Sequence, residues 1–421
     1  MRIVLFAAGS QGDVLFCLRL VKRLSKSGFS VTLAAPENYA SLAQDSCVPY
    51  FPLRGDVQQL MASDTGKEFM HTGSNNPLKN IALMRGMVAQ IAQQLSEDLL
   101  SACAEADALI SLAVFATLGT TVAELCNIPL LLIEPTPILP SGDFPAPGWP
   151  IQRNLGRMLN RLSGNAMLAF VFAWYRPSLN AFRAQNNLPR LSSRDFYRTL
   201  SSVPLLGAYS NAVIPRPSDW PDSARITGYW LDEEVSSFQP SEALDAFLER
   251  GEPPVYIGFG SMAAKNPARM AQIVLDAVSR TGRRAVIATG WGGIGAFPSS
   301  DQVFVLDHAP HDWLFPRMSV IVHHGGAGTT AEALRAGKPN VIVPFIVDQQ
   351  FWGRRVQALG AGPAPIPARK LTAKRLANAI DRAATDPAMR ESAMCIQSAI
   401  LAEHGLDQAV SFIQEYWGAS V

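Results

Sequence analysis

Two successive series of short apolar runs, each run followed by a helical pattern, constrain this chain more than any other feature. The first half carries "RIVLFAA", "SVTLAA", "DALISL" and "PLLLIE"; the second carries "PPVYIGFGS", "RAVIATG", "QVFVLD", "SVIVHH" and "NVIVPF". These runs are apolar at consecutive positions rather than alternate ones, as strands covered on both faces are. Strands alternating with helices specify parallel sheets, because a parallel pair needs a crossover. The pattern predicts α/β architecture in two doubly wound, Rossmann-like domains. A length of 421 residues agrees, being too long for one ordinary core. No short-period repeat is present.

Between the runs, "DVLFCLRLVKRLSKSG" has helical spacing and closes on Gly28. Residues 78–104 predict a long amphipathic helix with Ile81, Met84, Val88, Ile91, Leu95 and Leu99 on one stripe. Residues 64–77 are turn-rich and predict a mobile segment. "EPTPILPSGDFPAPGWP" holds prolines at 135, 137, 140, 145, 147 and 150, a density that no helix or central strand survives. A helical block over 151–200 follows, and helices close the chain near 372–417. The boundaries read as an N-terminal domain over 1–215, a proline- and acid-rich linker over 216–240, a second domain over 241–400, and a closing helix over 401–421 that packs back on the first domain.

Composition excludes several function classes. The chain is 48% hydrophobic and 17% charged with net charge +1, which leaves no polybasic field for nucleic acid. The runs "RTGRR" and "ARKLTAKR" read as solvated helix ends. Five cysteines form no C-x-x-C pair, which suits a reduced, cytoplasmic setting. The N-terminus reads as a buried strand rather than a signal peptide. The longest apolar stretch, "AMLAFVFAWY", is about half of what a bilayer requires, so no membrane span is expected and only a peripheral membrane contact stays open.

The chemistry concentrates in "HHGGAGTTAEALRAGKP", residues 323–339. Glycines at 325, 326 and 328 let backbone approach a ligand, and the helix that follows aims free N–H groups and its positive dipole end at it. An anionic group, most often phosphate, is the expected occupant, with Thr329 and Thr330 as added donors. A tight turn with capping threonines would give the same letters. Gly326, Gly328 and Ala331 also match the dinucleotide fingerprint G-x-G-x-x-A, and Asp348 lies where its ribose-binding acid should follow. That would make the chain an NAD(P)-dependent oxidoreductase. The motif's place in the last third of the chain and the histidines beside it count against this. Adjacent strand residues point to opposite faces, and no carboxylate or cysteine completes a metal site, so no metal is expected. His324 is the candidate donor to a diphosphate, and His323 a packed neighbour.

The other candidate turn is "GSQGD", Gly9 to Asp13, joining the first strand to a helix and setting Asp13 at its start. Helix capping alone would explain an aspartate there. Its weight comes from pairing with the phosphate-type turn of the other domain, across a cleft between the C-terminal edges of the two sheets.

Together these residues resemble the family 1 glycosyltransferases of the GT-B fold: sterol glucosyltransferases first, glycopeptide-antibiotic and rhamnolipid glycosyltransferases more distantly. The likeness covers nearly the whole chain and is strongest over residues 308–356 and in "GSQGD". It implies that His324 donates to the diphosphate of a UDP-sugar with the N–H groups and hydroxyls at Gly326, Gly328 and Thr329. It implies that Glu332 accepts from the ribose, that Asp348 and Gln349 bind the sugar hydroxyls, and that His308, Ala309 and His311 meet the uracil and ribose. Ser261, Ser10 and Gly12 complete the donor-binding set. Many relatives carry a histidine as general base in the first turn; here Asp13 takes that place, and the proline that follows in relatives is replaced by Phe16 and Cys17. His71 is the next candidate base. The implied reaction is inverting, metal-independent transfer of a hexose, glucose first, from UDP-sugar to a lipophilic alcohol such as a sterol or terpenoid, with no cofactor. The helices bearing Met84, Met87, Phe170, Phe172 and Trp174 are the apolar surface available for it. A non-catalytic nucleotide-sugar-binding relative is the remaining alternative.

Overall fold

A computed structural model of the chain describes residues 1–55, 60, 63, 66, 77–232, 237–260, 266–289, 299–346 and 348–418. Seven strands form the first sheet: β1 (Arg2–Phe6), β2 (Ser30–Pro36), β3 (Tyr50–Leu53), β4 (Ala108–Leu112), β5 (Leu130–Glu134), β6 (Leu205–Gly207) and β7 (Ala224–Ile226). Their order is β3-β2-β1-β4-β5-β6-β7 with every pair parallel. The second sheet holds β8 (Val255–Gly258), β9 (Ala285–Ala288), β10 (Val303–Leu306), β11 (Val320–His323) and β12 (Asn340–Ile342), ordered β10-β9-β8-β11-β12 and again all parallel. Each sheet therefore reverses its winding beside its own first strand, between β1 and β4 and between β8 and β11. In open α/β sheets ligands bind outside the strand C-termini at that switch point.

The consecutive apolar letters are explained by covering on both faces. In the second unit Val255, Ile257, Ala285, Ile287, Val320 and Val322 belong to one core with the helices Pro267–Thr281 and Ala373–Thr385. Tyr256, Val286 and Ile321, the alternate residues, belong to another with Leu244, Phe247, Trp313 and Phe315. Successive side chains in a strand point to opposite sides, so a strand between two helix layers has no polar face to spare.

The chain divides into two compact units. One comprises Met1–Asn211, Arg216–Trp230 and His404–Val421; the other comprises Ala212–Pro215 and Leu231–Glu403. The stretch 216–240, read as a linker, is corrected in its first part: residues 224–226 are the edge strand β7. Proline and acid density conceal a strand only three residues long. Helix α1 (Gln11–Lys26) explains how the neighbouring residues are held in the first unit. It buries Val14, Cys17, Leu18, Val21 and Leu24, and Gly28 beyond its end has φ +93°. Its other side stacks Phe16 on Trp230 at 4.6 Å between ring centres, and Arg19 donates to the Trp230 carbonyl at 3.1 Å. Arg23 pairs with Asp407 in the helix Gly405–Gly418.

The helix Pro77–Ala102 buries Val88, Leu95 and Leu99 of the expected stripe, with Met84 and Ile91 half-buried. Met87 and Phe172 are core residues, each 1% exposed, while Phe170 and Trp174 are half-buried. Among the described residues no helix is long and apolar enough to cross a membrane.

Candidate functional site

The turn after β11 is built around two histidines with opposite tasks. His323 is fully buried; its Nδ1 accepts from the Gly325 N–H at 3.1 Å, so Nε2 carries the proton and donates to Asn340 Oδ1 at 2.8 Å. Asn340 Nδ2 in turn donates to the Lys338 carbonyl, which fixes the amide's orientation. Burial, with His324 nearby, pushes the His323 pKa down to about 3. This ring is a structural clamp, as expected for the packed member of the pair.

His324 leaves the strand and folds over the glycine turn. A Cβ on Gly326 would lie 2.5 Å from His324 Nε2, and one on Gly260, beyond β8, would lie 3.3 Å from Cε1. The ring thus lies against the turns after both strands of the switch point; it excludes a side chain at 326, while φ +60° favours glycine at 260. Its Nδ1 is buried with no hydrogen-bond partner among the described residues, and burial lowers its pKa to about 4. Gly325, at φ +91°, is required on both counts: a Cβ there would lie 2.7 Å from Ile342 Cγ2.

The helix Ala327–Arg335 then begins at Gly326 with no side-chain cap. Its first N–H groups have no intrahelical acceptor, and the dipole's positive end adds to them. Thr330 is spent internally, its hydroxyl donating to the Gly326 carbonyl at 2.8 Å, while Thr329 is half-exposed. Gly328 is exposed and a Cβ there would meet nothing, so no packing demands glycine at that position. Glu332, 6% exposed, faces Arg335 at 3.6 Å.

The other expected donor residues issue from the same sheet edge. His308, exposed, and Ala309, buried, follow β10. His311 stacks one ring face on Phe315, with 4.2 Å between ring centres, whereas His308 is exposed. Asp348 sits half-buried at the start of the helix Gln349–Ala358. Gln349 Oε1 accepts from the Phe345 and Ile346 N–H groups at 2.7 and 3.1 Å, so the amide oxygen shapes the loop. Ser261 and His71 lie outside the described residues.

The first unit holds Ser10, Gly12 and Asp13. The Ser10 N–H and hydroxyl both donate to Asp13 Oδ2 at 2.8 Å, the reach-back of a capping box. Gly9, at φ +133°, could carry no side chain, since a Cβ would lie 2.6 Å from that oxygen. Burial raises the Asp13 pKa while the bonds from Ser10 oppose the rise. Gly12 and Ser10 are exposed at the surface of the turn.

One group escaped the sequence reading. Glu134, 1% exposed at the C-terminal end of β5, accepts from the Tyr209 hydroxyl at 2.7 Å and the Ile138 N–H at 3.1 Å. Burial lifts its pKa to about 8. The signal available was a carboxylate closing an otherwise apolar strand, "PLLLIE".

Topology disposes of the dinucleotide fingerprint. That motif occupies the first βα turn of its sheet, whereas Gly326–Ala331 follows β11, the fourth strand in chain order of the second sheet. Comparison with known proteins agrees. The family described as erythromycin biosynthesis protein CIII-like, C-terminal domain, matches residues 272–411. A sterol 3-beta-glucosyltransferase of Arabidopsis thaliana is 33% identical over 97% of this chain and 67% of its own length. The O-mycaminosyltylonolide 6-deoxyallosyltransferase of Streptomyces fradiae is 32% identical over 99% of this chain and 97% of its own. The crystal structure of the kitacinnamycin glycotransferase matches in fold with a TM-score of 0.75 at 19% identity, covering 98% of each chain. The chain thus spans about two thirds of its plant relative and nearly all of its bacterial one, with two Rossmann-like sheets and an open helix N-terminus after the fourth strand of the second: it belongs to the family 1 glycosyltransferases of the GT-B fold.

Proposed function

We propose that this protein transfers a hexose, glucose first, from a UDP-sugar to the hydroxyl of a lipophilic acceptor such as a sterol or terpenoid, with inversion at the anomeric carbon. The observation that carries the reading is the turn after β11, where an uncapped helix N-terminus lies against the His324 ring, whose Nε2 would be 2.5 Å from a Cβ on Gly326. Preorganised donors of this kind suit a diphosphate, whose charge grows as the sugar departs. The neutral His324 donates one N–H. A diphosphate beside it favours the imidazolium and raises its pKa from about 4. The helix end, His324 and Thr329 supply the stabilisation a divalent ion would otherwise give, so turnover needs neither metal nor cofactor.

Asp13 takes the acceptor proton as the alcohol oxygen attacks the anomeric carbon. Both bonds from Ser10 fall on Oδ2, and burial raises the carboxylate's basicity. An alcohol is too weak an acid to lose its proton first, so removal is concerted with attack. Asp348 accepts from the sugar hydroxyls, Glu332 from the ribose, and His308, Ala309 and His311 hold the base. The lipophilic acceptor is supported by the likeness to sterol glucosyltransferases.

Mass spectrometry of products from UDP-glucose and a panel of sterols, terpenoids and flavonoids tests the reading. Addition of one hexose to an alcohol, undiminished by EDTA, is expected. Tight UDP-glucose binding with no product from any acceptor class would favour a non-catalytic binding protein.

A further inference from the structure

The helix Arg157–Gln185 begins with apolar side chains turned to the outside. Ile151, Met158, Leu159 and Leu162 are 45%, 78%, 44% and 58% exposed. Met158 and Leu162 lie one turn apart on a single face. This is not a loose end of the fold, because the opposite face is tightly held. Asn160 Nδ2 donates to the Gly142 carbonyl at 2.9 Å, and the Ala146 N–H donates to Ser163 Oγ at 2.9 Å. A Cβ on Gly164 would lie 2.6 Å from Pro140 Cα. The helix start is therefore clamped to the proline-rich loop that leaves β5. That loop leaves the same C-terminal sheet edge as the Asp13 turn, since β1, β4 and β5 are parallel neighbours.

Along the sequence the charge of this segment is one-sided. Residues 144–194 contain seven arginines and no aspartate, glutamate or lysine, in a chain whose net charge is only +1. Arg153, Arg157 and Arg161 interleave with the exposed apolar residues. Arg157 faces Asp143 at 2.8 Å and Arg161 faces Asp219 at 3.7 Å, yet their side chains stay 64% and 57% exposed. Arg153 is exposed as well. Apolar tips of this size are unfavourable in water and mark a contact surface. Apolar side chains interleaved with arginine fit the headgroup zone of a bilayer: the aliphatic tips enter the acyl boundary and the guanidinium groups meet lipid phosphates. A second copy of the chain would bring the same arginines against each other, which disfavours self-association.

We propose that Ile151, Met158, Leu159 and Leu162, with Arg153, Arg157 and Arg161, form a docking face for an anionic lipid bilayer. Docked this way, the acceptor-side sheet edge of the first unit is held near the membrane surface, where lipophilic alcohols reside. The docking itself does not rest on the glycosyl-transfer reading.

Co-sedimentation of the full chain with phosphatidylcholine vesicles, pure or with about a third phosphatidylglycerol, tests it. The wild type should bind the anionic vesicles, lose them at high salt, and ignore the neutral ones. Met158→Glu with Leu162→Glu should lower the bound fraction at least tenfold. Met158→Ser with Leu162→Ser should lower it less, and Arg153→Glu several-fold. All should keep the wild-type melting temperature and UDP affinity. A wild type that ignores anionic vesicles, or glutamate and serine variants that bind as well as it does, overturns the proposal. So does sedimentation velocity showing a wild-type dimer that the glutamate variant dissociates while vesicle binding is unchanged.

Discussion

The strand–turn–helix junction after β1 and the one after β11 look alike in sequence and are opposite in electrostatics. After β1, the helix N-terminus is closed by the chain's own anion: Asp13 reaches back to the Ser10 N–H and hydroxyl. After β11, the helix starts at a glycine with no side-chain cap, under a histidine whose Nδ1 has no partner among the described residues. Every helix start attracts negative charge. The first turn has satisfied that demand internally and presents a carboxylate; the second has left it open and presents donors. In the proposed reaction the first would take the proton of the alcohol and the second would hold the diphosphate.

The largest effect should come from removing the first turn's charge while keeping its shape. Asp13→Asn still caps the helix, so melting temperature should stay near wild type, whereas turnover should fall about a hundredfold or more. Loss of a cap alone would instead cost about 0.5–2 kcal/mol of stability with little change in rate. Steady-state kinetics beside a melting curve separate the two.

Next is Gly326→Ala. Gly326 has φ −64°, which alanine accepts, but the new Cβ would lie 2.5 Å from His324 Nε2. The substitution should displace the ring and weaken UDP binding about tenfold, as losing a charge-assisted hydrogen bond does, with stability nearly kept. Unchanged UDP affinity would sever the ring from the diphosphate. Asp348→Ala should act more narrowly: calorimetry should show UDP bound as before and the extra affinity of UDP-glucose gone. An equal loss of both ligands would make Asp348 a loop-shaping residue like Gln349.

Much of this was legible in the letters because it is local. Buried parallel strands show as consecutive apolar residues, glycine marks the turns, and the Ser10–Asp13 cap spans only three positions. What was not legible depends on distant partners or on brevity. The strands β6 and β7 are three residues each and carry no periodic signal. The bonds from the Phe345 and Ile346 N–H groups to the Gln349 oxygen depend on how the loop lies against the helix that follows it. Glu134 looked like a strand end, and its partner Tyr209 lies 75 positions away.

That buried carboxyl gives the smallest predicted effect. The folded state holds a proton up to about pH 8, while an unfolded Glu134 releases it near 4.5. The folded chain therefore binds more protons through that window. Its stability is greatest below it and declines as pH rises through it. Glu134→Gln keeps the neutral shape and should flatten this decline. Parallel pH–melting curves for the two proteins would leave Glu134 ionised in the fold and contradict the assignment.

The division of labour between the turns is tested most directly by calorimetric titration of UDP into two variants side by side. His324→Ala should lose about tenfold or more in UDP affinity, while Asp13→Asn should bind UDP as the wild type does. The reverse pattern, with UDP affinity insensitive to His324 and dependent on Asp13, would contradict the account at its centre.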